Sequence, residues 1–151
     1  MKRRSMLLTR SLLLAAMALG LTGIASVSAG EKCKDSMLRG LYVFTATGWT
    51  GVSPGSTTPI AIIELIRFYG DGTADTVGGR VSVGGAVFPA ASPGSYTPPT
   101  PVDIGCESVL AFSAPPNPSL YLFIPPDAKI LQAMLITGSS VFQGPITKVS
   151  D

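Results

Sequence analysis

Proline and glycine divide this chain into short segments, and that division is the feature that most restricts its fold. All 13 prolines and 15 of the 17 glycines follow residue 29 of the 151-residue chain. Proline removes a backbone hydrogen-bond donor, and both residues destabilise helix interiors, so long helices are disfavoured in this region. Helical periodicity sustained over a dozen residues occurs only before residue 30. Residues 30–151 are therefore predicted to form β structure.

The segments between these breaks are rich in β-branched and aromatic residues, which favour strands. The break Gly70-Asp71-Gly72 is typical of a hairpin, and Gly78-Gly79 indicates a bulge or bend. The candidate strands are 41–47, 60–69, 73–77, 80–83, 84–89, 94–97, 104–113, 119–124, 129–137 and 140–149, after one helical turn within 33–39. Breaks every 8–12 residues or so predict an all-β domain. We expect a single antiparallel barrel of about eight strands, with a two-sheet β-sandwich as the alternative.

The first 29 residues have the pattern of a secretory signal peptide. Lys2, Arg3, Arg4 and Arg10 precede the apolar stretch 12–21, and small residues at Val27-Ser28-Ala29 predict cleavage between Ala29 and Gly30. Polar residues and glycines interrupt the apolar run, so we expect no stable membrane span after cleavage. The domain boundaries are then 1–29 for the signal and 30–151 for the barrel. The protein is predicted to be exported, to the periplasm or the exterior.

Charge and composition exclude several functions. The precursor carries a net charge of +2, and removal of the leader leaves seven basic against nine acidic residues. The basic residues are scattered, so nucleic-acid binding is not expected. The chain has no histidine, which excludes Ser-His-Asp and Cys-His catalysis within it. The segment 70–75 fits neither a dinucleotide loop nor an EF-hand, and we predict no cofactor and no metal site.

The only two cysteines, Cys33 and Cys106, both belong to the exported part. An oxidising compartment favours their pairing as a disulfide. Such a bond would tie the N-terminal turn to a strand of the second half. A reactive thiol is the alternative, but the usual activating histidine is absent.

Glu64 and Arg67 interrupt the apolar run 60–69, which ends at Tyr69. Positions three apart in a strand point to opposite faces, so only one of the two charges can face the barrel interior. An interior charge must be paired or hydrogen-bonded, and it could hold a polar group of a ligand. Glu64, Arg67 and Tyr69 are thus the candidate ligand-binding residues, and no catalytic residue is assigned. Trp49 and the tyrosines are predicted to pack in the core and at its rim.

Three motifs resemble a largely uncharacterised family of small secreted bacterial β-barrel proteins. They are the strand motif Leu38-Arg39-Gly40-Leu41-Tyr42-Val43-Phe44, the hairpin Phe68-Tyr69-Gly70-Asp71-Gly72, and Gly94-Ser95-Tyr96-Thr97 before Cys106. Ser95 departs from the family's threonine at that position. The resemblance implies an eight-stranded barrel similar to allene-oxide-cyclase-like and lipocalin-like barrels. It implies no agreed activity.

Three hypotheses about function follow from this sequence. The first is a binding module that holds a small, mostly apolar molecule in or at the mouth of the barrel, and it predicts an internal cavity. The second is an allene-oxide-cyclase-like cyclase or isomerase that uses Glu64 and a tyrosine. The third is a structural or cell-surface interaction protein without a pocket. An outer-membrane barrel is disfavoured because 60–63 is apolar on both faces. The sequence favours a non-enzymatic role and leaves the oligomeric state open.

Overall fold

The computed structural model describes residues 33–51 and 57–151. The predicted leader and its cleavage site between Ala29 and Gly30 lie outside these residues. Within them, no helix is long and apolar enough to cross a membrane. A single 3₁₀ turn at Asp35–Met37 precedes ten strands. The strands are β1 (Arg39–Thr50), β2 (Thr58–Tyr69), β3 (Thr73–Val83), β4 (Ala86–Pro89), β5 (Pro93–Tyr96), β6 (Thr100–Val102), β7 (Gly105–Phe112), β8 (Ser119–Ile124), β9 (Ile130–Leu135) and β10 (Ser140–Ser150).

Eight of the strands form a closed antiparallel barrel. The circuit runs β1, β2, β3, β5, β7, β8, β9 and β10, and β10 pairs again with β1. The β2–β3 pairing closes the sheet on itself, so the fold is a barrel and not a sandwich. β4 forms a hairpin with the C-terminal part of β3, and β6 pairs with the start of β7.

Two elements differ from the sequence-based expectation. The candidate strands 73–77 and 80–83 form one continuous strand, because the irregularity at Val77 is a single-residue bulge that keeps the pairing with β2. The segment 98–103 contains no candidate strand, yet Thr100–Val102 forms the short strand β6. β6 is short and lies at an edge, where proline is tolerated in a sheet.

Alternation of inward and outward side chains builds the core. In β7 the buried side chains are Cys106, Ser108, Leu110 and Phe112, as the period of two predicts. The same alternation in the other long strands directs apolar side chains inward, and their buried members form one contiguous cluster. The interior of the barrel is therefore largely filled by side chains.

The N-terminal segment closes one end of the barrel. Tyr42, Phe68 and Tyr96 pack edge to face there, with ring centroids 5.2 Å apart for Tyr42–Phe68 and 5.6 Å for Phe68–Tyr96. The Tyr42 hydroxyl donates to the carbonyl of Ala128 at 3.1 Å, and the Tyr96 hydroxyl donates to that of Asp35 at 3.1 Å. Burial raises the pKa of Tyr42 to about 12, so this donor keeps its proton at neutral pH.

The predicted disulfide is confirmed. Cys33 is bonded to Cys106, with their Cα atoms 5.8 Å apart and a sequence separation of 73. Cys106 is buried in the core, so the bond holds the N-terminal segment against β7 at the closed end. Disulfides of this kind are typical of an oxidising, extracytoplasmic environment.

We predict that removal of the disulfide lowers the free energy of unfolding by about 4 kcal/mol, because the bond restricts the unfolded chain. The variant Cys33→Ser/Cys106→Ala tests this by urea denaturation, since alanine keeps an apolar side chain at the buried position. Reduction of the wild-type protein gives an independent comparison. An unchanged denaturation midpoint in both cases would contradict a stabilising role.

Candidate functional site

The structure separates the three candidate ligand-binding residues. Glu64 lies on the inner face of β2, between the buried side chains of Ile62 and Ile66. Arg67 and Tyr69 are exposed on the outer face. The opposite orientation of Glu64 and Arg67 follows from the odd spacing, as the sequence predicts. The interior charge is thus the carboxylate, and the guanidinium is not its partner.

Glu64 faces the barrel between an aromatic ring and a glycine. Its cross-strand partner in β1 is Phe44, and its partner in β3 is Gly79. A Cβ atom at Gly79 would lie 2.6 Å from the Ile63 carbonyl oxygen and 2.8 Å from the Glu64 Cα atom. No side chain fits there, so glycine is required beside the carboxylate.

The bulge at Val77 positions the β3 residues around Glu64. Leu65 pairs with Gly78 and Ile66 pairs with Thr76, which leaves Val77 as the extra residue. An extra residue shifts the alternation of the strand by one position. Thr76 before the bulge and Val81 after it therefore both face inward, although their numbers differ in parity.

The Glu64 carboxylate has little compensation for its burial. The Thr76 hydroxyl donates to Glu64 Oε2 at 3.5 Å, the limit of a hydrogen bond. Among the described residues, the only salt bridge joins Lys148 to Asp151, and no basic side chain pairs with Glu64. Burial accordingly raises the pKa of Glu64 above its usual value, and the Thr76 hydrogen bond lowers it by less. The carboxyl group retains free capacity to bond another group.

Glu64 lies at the open end of the barrel. β1, β2, β3 and β10 have 11 or 12 residues each, whereas β5, β7, β8 and β9 have 4 to 8. With a strand spacing of about 4.8 Å and a tilt of about 40°, the register places Glu64 level with Phe112, the last residue of β7. The longer strands extend beyond this level and form one side of the barrel mouth.

The rim of this open end is apolar. Ile60, Val81 and Leu135 are half-buried and pack on the core from this side. Phe142 is buried, and its ring centroid is 6.4 Å from that of Phe44. An ionisable group surrounded by partly exposed apolar side chains can bind a ligand that is apolar with one polar group.

The geometry gives Glu64 no catalytic partner among the described residues. The two interior tyrosines, Tyr42 and Tyr96, donate their hydroxyl protons to backbone carbonyls at the closed end. Tyr69 lies outside the barrel, where its hydroxyl donates to Asp75 Oδ2 at 2.9 Å. That hydrogen bond to a carboxylate raises the pKa of Tyr69 and anchors its exposed ring.

The loop 70–72 is a structural hairpin turn between β2 and β3. Asp71 Oδ1 accepts hydrogen bonds from the Thr73 backbone N–H at 3.0 Å and from the Thr73 hydroxyl at 2.6 Å. These bonds lower the pKa of Asp71. In the part of the chain that the structure describes, no three histidine, cysteine or carboxylate side chains are grouped as metal ligands.

Sequence reasoning identified Glu64 and missed the residues around it. Thr76 and Val81 belong to a strand whose bulge reverses their expected faces, and Leu135 comes from the distant strand β9. The adjacent glycines 78 and 79 were the available signal of the irregularity. Comparisons of the chain with protein-family models, curated proteins and solved structures found no match.

We predict that Glu64→Gln stabilises the protein at neutral pH. Because the folded-state pKa of Glu64 is raised, its contribution to stability is complete below the unfolded-state pKa and is lost as the pH rises through the folded-state value. The uncharged amide avoids that loss, so the variant should exceed the wild type by on the order of 1 kcal/mol near neutral pH. The difference should vanish at about pH 4.

Urea denaturation of both proteins across this pH range measures the effect. Asp103→Asn, the corresponding substitution at an exposed carboxylate, controls for the loss of one negative charge. A stability difference that does not change with pH would contradict the assignment of Glu64 to a desolvated position.

Proposed function

We propose that this protein is a binding module that holds one small, mostly apolar molecule at the open end of the barrel. The observation that carries the proposal is Glu64, a carboxyl group directed into an apolar interior with one long hydrogen bond and no basic partner. An ionisable group that is half-buried among apolar side chains with so little compensation destabilises a fold, so its presence at an opening favours a functional role.

The surroundings of Glu64 determine which ligand suits the site. The half-buried side chains of Ile60, Val81 and Leu135 offer apolar contact above the filled core. The carboxylate accepts hydrogen bonds, and in its protonated form it also donates one. The matching ligand is therefore an apolar molecule that carries one hydroxyl or amine group. Because side chains fill the barrel below Phe44, we place this ligand at the mouth and not deep inside.

Binding explains the geometry better than the cyclase hypothesis. A cyclase of the proposed kind needs a tyrosine hydroxyl beside Glu64, whereas Tyr42 and Tyr96 donate to carbonyls at the opposite end. Lipocalins are also eight-stranded barrels and hold one small ligand, although here side chains fill the interior and the ligand is placed at the mouth. We extend the family resemblance to this chain on that basis.

We also propose that the protein acts outside the cytoplasm. Residues 1–29 would direct export, with cleavage between Ala29 and Gly30. The Cys33–Cys106 disulfide supports this location, since such bonds persist in oxidising compartments. The periplasm and the exterior are both compatible with it.

Titration with 1-aminoanthracene, three fused apolar rings with one amine, tests the proposed site. We expect a saturable, blue-shifted increase in its fluorescence on addition of the wild-type protein. Glu64→Leu should weaken binding by about tenfold, the equivalent of one charge-assisted hydrogen bond.

Asp103→Asn is the matched control, because it removes an exposed carboxylate and should leave the dissociation constant unchanged. Circular dichroism at the titration temperature verifies that each variant is folded. No saturable signal with the wild type, or equal affinity for Glu64→Leu, would refute the proposal.

A further inference from the structure

A shallow groove crosses the outer wall of the barrel and reaches the rim of the open end, where Ile60 and Phe142 also line it. It consists of two hollows of about 650 and 500 Å3 that share Thr47 and Gln143. Thr47 of β1 and Gln143 of β10 are cross-strand partners on the outer face. The two hollows are therefore adjacent, with this pair between them. We call the two together the outer groove.

Two glycines allow the wall to bend at the outer groove. Gly48 lines one hollow and Gly144 lines the other. A Cβ atom at Gly48 would collide with the Val141 carbonyl oxygen, and one at Gly144 would collide with that of Thr45. The backbones of β1 and β10 thus approach too closely for any side chain on their inner side. Glycines inside strands commonly mark tight bends of this kind in barrels.

The outer groove follows a single row of cross-strand neighbours. Measured along the curved wall, the row is about 24 Å long and passes over six of the eight barrel strands. Its members, in order from β8 to β3, are Tyr121, Met134, Gln143, Thr47, Ala61 and Ser82.

The outer groove is uncharged and combines apolar, aromatic and polar side chains. Trp49, next to the centre, is 52% exposed, and Tyr121 lies at the far end. Gln132 and Gln143 supply amide groups between them, and the lining residues of both hollows include no Asp, Glu, Lys or Arg. The Tyr121 hydroxyl donates to Glu107 Oε2 at 2.9 Å, which fixes its ring.

We propose that the outer groove binds a neutral oligosaccharide. Sugar rings combine an apolar face, which stacks on Trp49 and Tyr121, with hydroxyl groups that both donate and accept hydrogen bonds. Amide side chains do the same, so Gln143 and Gln132 match them. A charged polymer would find no counter-charge in the lining. An apolar chain would leave the central Thr47 and Gln143 unpaired.

Addition of a peptide strand is also disfavoured at this wall. β1 is paired with β2 and β10, and β10 is paired with β1 and β9. Their backbone groups are therefore occupied within the barrel, whereas strand addition needs a free edge. Recognition at the outer groove must use side chains, as binding of a sugar chain does.

The single tryptophan of the chain makes this proposal directly testable, because Trp49 reports on the outer groove. The full protein is titrated with cellohexaose, maltohexaose and chitohexaose while tryptophan emission and heat of binding are recorded. We expect at least one of these glycans to bind saturably and to shift the emission. Heparin hexasaccharide and decanol should not compete.

Gln143→Ala should weaken binding by about tenfold, the loss expected for hydrogen bonds at the centre of the site. Thr147→Ala, on the same face of β10 but outside the outer groove, should change affinity by less than about twofold. Circular dichroism verifies the fold of each variant. Failure of every neutral glycan to bind, equal affinity for Gln143→Ala, or competition by heparin or decanol would overturn the proposal.

Discussion

The pairing of β2 with β3 is the interaction on which the rest of the structure depends. It joins the two ends of the strand order and so turns an open sheet into a closed barrel. The same pairing contains the bulge at Val77, which directs Thr76 and Val81 to one side. Without the extra residue, Val81 would face the solvent and the rim would lose an apolar side chain. Closure of the barrel and formation of the site thus arise from one ladder of hydrogen bonds.

Unequal strand lengths divide the barrel into a stable end and an accessible end. At the closed end, interlocked aromatic rings, two buried tyrosine hydroxyls with backbone partners and the disulfide all join the N-terminal segment to the core. At the other end β7, β8 and β9 stop short of their neighbours, so apolar side chains remain half-buried. Glu64 is tolerated because it lies at this boundary, where water still reaches the carboxylate.

Local chemistry made part of this architecture predictable. The alternation in 104–113 identified the buried face of β7, and the odd spacing of Glu64 and Arg67 placed them on opposite faces. Two cysteines after a predicted export signal indicated a disulfide between them. The level of Glu64 relative to the rim could not be predicted, because it depends on the stagger of all eight strands. The outer groove could not be predicted from the sequence either, because its central row contains one residue from each of six strands. Trp49 was expected at the core or rim, but it lies outside.

Alternation also explains how so small a domain can present two different surfaces. Within β1, Phe44 faces the interior beside Glu64, while Thr47 faces the outer groove three residues later. The inner surface is apolar with one carboxylate, and the outer one combines aromatic rings with uncharged polar groups. A ligand of the first surface would be poorly matched to the second, because an isolated carboxylate and uncharged amide and hydroxyl groups bind different partners. Since side chains of opposite faces do not touch through the sheet, substitutions at Glu64 and at Gln143 should act independently.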